Sequence, residues 1–170
     1  DSIRYLNAVN DIAVLYSQLD DHESEEQYLE ILLSNMHLLN TYQISNYYAI
    51  LLNRSLKDSS DVISKALSDY LLVTTDKLSV DWLCVTQAYI VMQDYQSALI
   101  SLENHVQYKG NRDTLYYWTA ANLYEKLGEY HKALSFFKEY LYAGGFCAGH
   151  YVYKWLYCVG KDCLAGDAKG

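Results

Sequence analysis

The chain has 170 residues, 51% of them hydrophobic, with no proline, 19 tyrosines and a formal net charge of −8 at a pI near 4.9. That size and apolar content describe one domain, 1–170, or one contiguous piece of a longer repeat array, and they exclude a disordered chain. The acidic balance speaks against a nucleic-acid partner, which needs a basic face to displace counterions, and against docking on anionic lipid.

No apolar run approaches the roughly 20 residues that span a bilayer, so direct membrane insertion is not expected. No basic start leads into an apolar block either. The sequence begins at Asp1 inside a helical pattern, as a trimmed product would, which leaves the compartment open. Without proline nothing removes a backbone donor from a helix interior. Tyrosine in such numbers suits helices that bury a ring while the hydroxyl reaches water or a partner.

In chain order, residues 3–37 read as a helix pair hinged at Asp20-Asp21, with an acidic run from Asp20 to Glu26 placed where negative charge offsets a helix dipole. Residues 40–75 give helices over Tyr42–Arg54 and Asp61–Val73, turned and capped by Asp58-Ser59-Ser60. The clearest signal lies in residues 79–110 and 114–145. Trp82 and Tyr117, Tyr89 and Tyr124, Tyr95 and Tyr130, Ala98 and Ala133, Leu99 and Leu134, Leu102 and Phe137, and Gly110 and Gly145 are each 35 residues apart. Seven coincidences at one period make a repeat.

Within each copy the apolar positions recur every three or four residues, which predicts two helices. Trp82, Val85, Tyr89 and Met92 line the first, then Ala98, Leu99, Leu102 and Val106 the second, joined at Gln93-Asp94-Tyr95. In the next copy the inner faces are Tyr117, Ala120, Ala121 and Tyr124, then Ala133, Leu134, Phe137 and Leu141, joined at Leu127-Gly128-Glu129. Gly128 suits the left-handed end of a helix. A final segment, 147–160, holds a helix over about Ala148–Val159 that covers the open end, and the tail from Ala165 is expected to fray.

These residues resemble the tetratricopeptide repeat, a helix-turn-helix unit of about 34 residues. Trp82, Tyr89, Tyr95 and Ala98 stand at its signature positions, as do Tyr117, Ala121, Tyr124, Gly128, Tyr130 and Ala133. Gly110 and Gly145 replace the usual closing proline, and Thr86 a small residue. In the first half Tyr47, Leu67, Ala13 and Tyr16 keep the pattern, whereas Arg54, Ile63 and Glu25 break it. The resemblance implies an all-α, right-handed superhelical stack of about eight to nine helices in antiparallel pairs. It also implies a concave wall made by the first helix of each pair.

On that register the wall presents Leu83, Gln87 and Ile90, then Trp118, Asn122 and Glu125. Trp118 either faces a partner or packs against the next unit. The wall is aliphatic, aromatic and amide with one acid, unlike the basic walls of the repeats that grip acidic chaperone tails. The stretch 79–145 is also similar to bacterial repeat proteins associated with TonB-type energy transduction, which implies a periplasmic accessory of an envelope complex.

No pattern carries catalysis, and no cofactor is expected. The five histidines, at 22, 37, 105, 131 and 150, are scattered without ligand spacing, and His105 and His131 are expected to cap helices or face solvent. No glycine-rich phosphate loop or nucleophile elbow is present. Cys84 reads as a small core residue. Cys147, Cys158 and Cys163 match no zinc pattern, and two of them pair only in an oxidising compartment. The expected function is therefore a non-catalytic scaffold or adaptor that holds a peptide or partner domain. The alternative is a structural subunit acting through homo- or hetero-oligomerisation.

Overall fold

The computed structural model describes residues 2–74, 76, 78, 80–146 and 149–167, and among these every regular element is helical. Two compact units form, Asp1–Met92 and Gln93–Gly170. The division falls between the two helices expected for 79–110.

The first unit holds α1 (Ser2–Gln18), α2 (His22–Ser34), α3 (Thr41–Ser55), α4 (Ser60–Val73) and α5 (Trp82–Val91), with a 3-10 turn at Met36–Leu38. The second holds α6 (Tyr95–Lys109), α7 (Thr114–Lys126), α8 (Tyr130–Tyr142) and α9 (Gly149–Asp167). Consecutive helices pack as neighbours, α1 on α2, α3 on α4, α7 on α8 and α8 on α9. Connections of only a few residues force such neighbours to run antiparallel. The all-α architecture in adjacent pairs is the one expected.

Local chemistry sets the boundaries. Asp21 caps α2 by accepting the Ser24 N–H at 3.2 Å, and the Ser24 bonds hold its carboxyl below the usual range. Asn40 and Gln43 form a reciprocal capping box on α3. Asp94 accepts the Ser97 N–H at 3.1 Å and Asp113 the Tyr116 N–H at 2.9 Å. Ser59 occupies the N-cap position of α4, but its side chain makes no capping bond.

Gly110 and Gly128 end α6 and α7 with φ of +88° and +76°. At the end of α8 the left-handed residue is Gly144, φ +89°, not Gly145. Gly145 is needed for another reason, since a Cβ there would lie 2.4 Å from the Tyr140 ring. Gln93 stands where Gly128 recurs and also has positive φ, +62°. A residue with a Cβ is strained there, so Gln93→Gly is expected to raise stability by about 0.5–1 kcal/mol. Urea unfolding checks this, and unchanged stability would show the turn to be relaxed.

The core of the first unit gathers Val9, Ala13, Leu29, Leu32, Tyr47 and Ile50 from α1, α2 and α3. In the second, Ala121, Ala133, Phe137 and Cys158 are fully buried, ringed by Trp118, Tyr124, Tyr130, Leu134, Phe136, Tyr140 and Trp155. The two alanines let α7 and α8 approach closely enough for these rings to interlock.

Two expected core positions of the second unit move. Tyr116, not Tyr117, is the buried tyrosine of α7. Its hydroxyl donates to Glu103 on α6, and burial followed by that carboxylate pushes it well above the ordinary phenol range. Leu141 is exposed, because it lies in the last turn of α8, beyond the core cluster. α9 begins at Gly149 and runs to Asp167, so 165–167 are helical rather than frayed. Residues 168–170, Ala148 and Cys147 lie outside the described residues.

Candidate functional site

In the first unit, α1 and α3 meet through side chains at one constant offset. Gln43 Nε2 donates to Asn7 Oδ1 at 3.0 Å, and Asn46 Nδ2 donates to Asn10 Oδ1 at 3.3 Å, both pairs 36 residues apart. Ser17 and Asn53 stand at the same offset. A cleft of about 400 Å3 is lined by both of them, with Gln18, Asn46, Asp81 and Cys84 and apolar patches between. Within this unit α1 packs on α3 and α3 on α5.

The far side of this cleft is pinned by Tyr70, which is buried and accepts the Asp81 N–H at 2.7 Å. Burial pushes its phenol upward. Asp81 is the one charged residue among the described residues of the lining, and its carboxylate accepts the N–H groups of Leu83 and Cys84, each at 3.1 Å. Cys84 is half-buried and reaches the cleft instead of filling the core. Desolvation pushes its thiol up to about 12, so it stays protonated and unreactive across the physiological range.

Of the expected wall on α5, Leu83 and Ile90 are half-buried and Gln87 is exposed, and none of them lines the cleft. On α5 the side chain that lines the cleft is Cys84. Ser17, Gln18, Asn46 and Asn53 escaped the pattern. Ser17 and Asn53 are 36 residues apart, against 35 later in the chain, and that spacing was the available signal for these two.

In the second unit the three expected wall residues are already engaged. Trp118 is half-buried, its ring centroid 5.6 Å from Phe137 and 5.3 Å from Tyr140 on α8. It packs within its own helix pair, because a large apolar ring gains more against that core than in water. Asn122 donates to the Trp118 carbonyl at 2.6 Å. Lys154 on α9 donates both to Asn122 Oδ1 and, at 2.8 Å, to Glu125 Oε2.

The histidines serve locally. His22 sits 3.1 Å from Asp20 and His131 3.4 Å from Asp162, while His105 is half-buried and His37 exposed. Among the described residues no three His, Cys, Asp or Glu side chains converge to hold a metal ion. Cys158 is buried and Cys163 exposed, both as free thiols, and burial pushes Cys158 up to about 11. No helix among them is long and apolar enough to cross a membrane. Comparison with family models, curated proteins and solved structures gives no match.

Proposed function

We propose that the chain is a non-catalytic scaffold that holds an extended segment of another protein in the cleft between α1, α3 and α5. The observation that carries this reading is the lining. Gln18, Asn46 and Asn53 each offer both a donor and an acceptor, which matches the paired N–H and C=O of a peptide backbone. Val14, Ala49 and Ile50 beside them give an apolar side chain somewhere to lie. Among the described residues the lining has no basic side chain, which favours a neutral or cationic segment over an acidic tail.

The constant 36-residue offset between α1 and α3 supports kinship with tetratricopeptide repeats. The narrower reading, an accessory of a bacterial envelope complex, rests on the likeness of residues 79–145 alone.

The test is a crosslinking pull-down from the native source, comparing wild type with a Gln18→Ala, Asn53→Ala double variant. One partner recovered by wild type and lost by the folded variant supports the cleft. Identical partners with both would sink it.

A second reading, action through oligomerisation, draws on the apolar side chains left in water around α8 and α9. Tyr142 is 83% exposed, Phe146 81% and Tyr153 68%, with Leu156 and Leu164 beside them. Light scattering that shows a mass rising with concentration would favour it.

A further inference from the structure

Charge is divided unevenly along the chain. Asp1–Met92 holds 13 of the 21 acidic residues but only 5 of the 13 basic ones. The whole formal charge of −8 therefore falls on the first unit, and the second is formally neutral. The cleft between α1, α3 and α5 belongs to the first unit, and Asp81 supplies a carboxylate to its lining. That carboxylate is held in place. The Asp81 N–H donates to the hydroxyl of the buried Tyr70 at 2.7 Å, and Oδ1 accepts the N–H groups of Leu83 and Cys84. Oδ2 accepts no bond among the described residues. Asn46 gives an N–H to Asn10, and its Oδ1 likewise has no partner among them. The lining thus holds two open acceptors, one of them charged, and among the described residues no basic side chain to neutralise it.

We propose that the segment held in this cleft carries a basic side chain whose cation pairs with Asp81. The proposal rests on the reading of the cleft as a peptide groove and adds the chemistry of its occupant. A carboxylate already ordered by three bonds loses little freedom when a partner arrives. The ion pair supplies what the amides of Gln18 and Asn53 do not, a choice between segments by charge. The acidic balance of the first unit acts at longer range, drawing a basic segment toward the cleft and repelling an acidic one.

The test selects binders from a phage library of random peptides on the full wild-type chain. The strongest is then synthesised with a fluorophore and its binding followed by anisotropy. Selected peptides are expected to share a lysine or arginine at one fixed place. Asp81→Asn, whose Oδ1 still caps α5, is expected to weaken binding of the synthetic peptide about fivefold, the size of a solvated ion pair. Changing the basic residue of the peptide to glutamine is expected to cost the same factor on wild type and nothing further on Asp81→Asn. Raising the salt from about 0.05 to about 0.3 M is expected to narrow the gap between the two chains.

Equal affinity of wild type and Asp81→Asn for the basic peptide overturns this inference. So do selected peptides that lack any basic residue yet bind the Gln18→Ala, Asn53→Ala variant poorly, and in that case the peptide groove itself still stands. Peptides that bind that double variant as tightly as wild type, or a selection that enriches nothing, overturn the groove and this inference with it.

Discussion

Phe137→Ala is expected to lower the stability of the second unit by about 3–5 kcal/mol, the cost of removing a fully buried ring from a core that cannot close around the void. Phe137 is 0% exposed and sits between Ala121, Ala133 and Cys158, with Trp118 edge-on to it at 5.6 Å. Two of its fully buried neighbours are alanines, which have no side chain to swing into the space. Because the chain has two compact units, the loss should concentrate in one of them. Residue-level hydrogen exchange in α7 and α8 reads this out, and a loss spread evenly over α1 to α9 would show that the units do not open separately. Phe137→Leu, which keeps more of the volume, should lose distinctly less.

Arg54→Ala is the second large effect, about 3 kcal/mol of destabilisation, and it arises from charge rather than volume. Glu25 on α2 is 0% exposed, and neither of its carboxylate oxygens has a hydrogen-bond partner of good geometry. What compensates its charge is Arg54 on α3, with Nε 3.5 Å from Glu25 Oε1 and the guanidinium also bound to Glu26. His22, 3.9 Å away, adds charge only when protonated. Removing the arginine leaves a buried carboxylate without its cation, the case in which breaking a pair costs several kcal/mol. Arg54 is itself a third exposed, which holds the figure at the low end of that range. The double variant Glu25→Ala, Arg54→Ala should recover most of the loss, since it removes the stranded charge as well as its partner. Urea unfolding of the two single variants and the double gives the coupling. A double variant as unstable as the sum of the two singles would show that the pair does not interact.

This pair also explains why the first half of the chain matched the repeat pattern poorly. Glu25 stands where alanine is expected and Arg54 where tyrosine recurs, so each reads as a defect when taken alone. In the structure they are one feature, an acid on α2 and a base on α3 that face each other. A pattern scored position by position cannot register a compensated exchange. The α1–α3 side chains tell the same story from the other direction. Asn7 with Gln43 and Asn10 with Asn46 keep a period of 36, so a search fixed at 35 passes them by.

The candidate sites were legible to different depths. That residues 2–91 form helices able to line a cleft followed from the periodicity. That Cys84, not Leu83, Gln87 or Ile90, turns toward the cleft did not, because neighbouring positions on a helix differ by about 100° and a small error in helix rotation changes the face. Trp118 could be placed on α7 from the sequence, yet its direction was settled only by Phe137 and Tyr140 coming from α8.

By itself the sequence determined where helices begin and end, because those decisions are local. Asp21, Asn40, Asp94 and Asp113 bind backbone N–H groups within three residues of themselves, and Gly110 and Gly128 adopt the left-handed turn almost without steric cost. Tertiary structure alone decided which side chains meet across helices. Glu25 with Arg54, and Lys154 with Glu125, lie 29 residues apart along the chain, and no local preference encodes their pairing. They meet because close packing fixes the rotation of each helix, and because a charge drawn out of water by that packing must find its opposite.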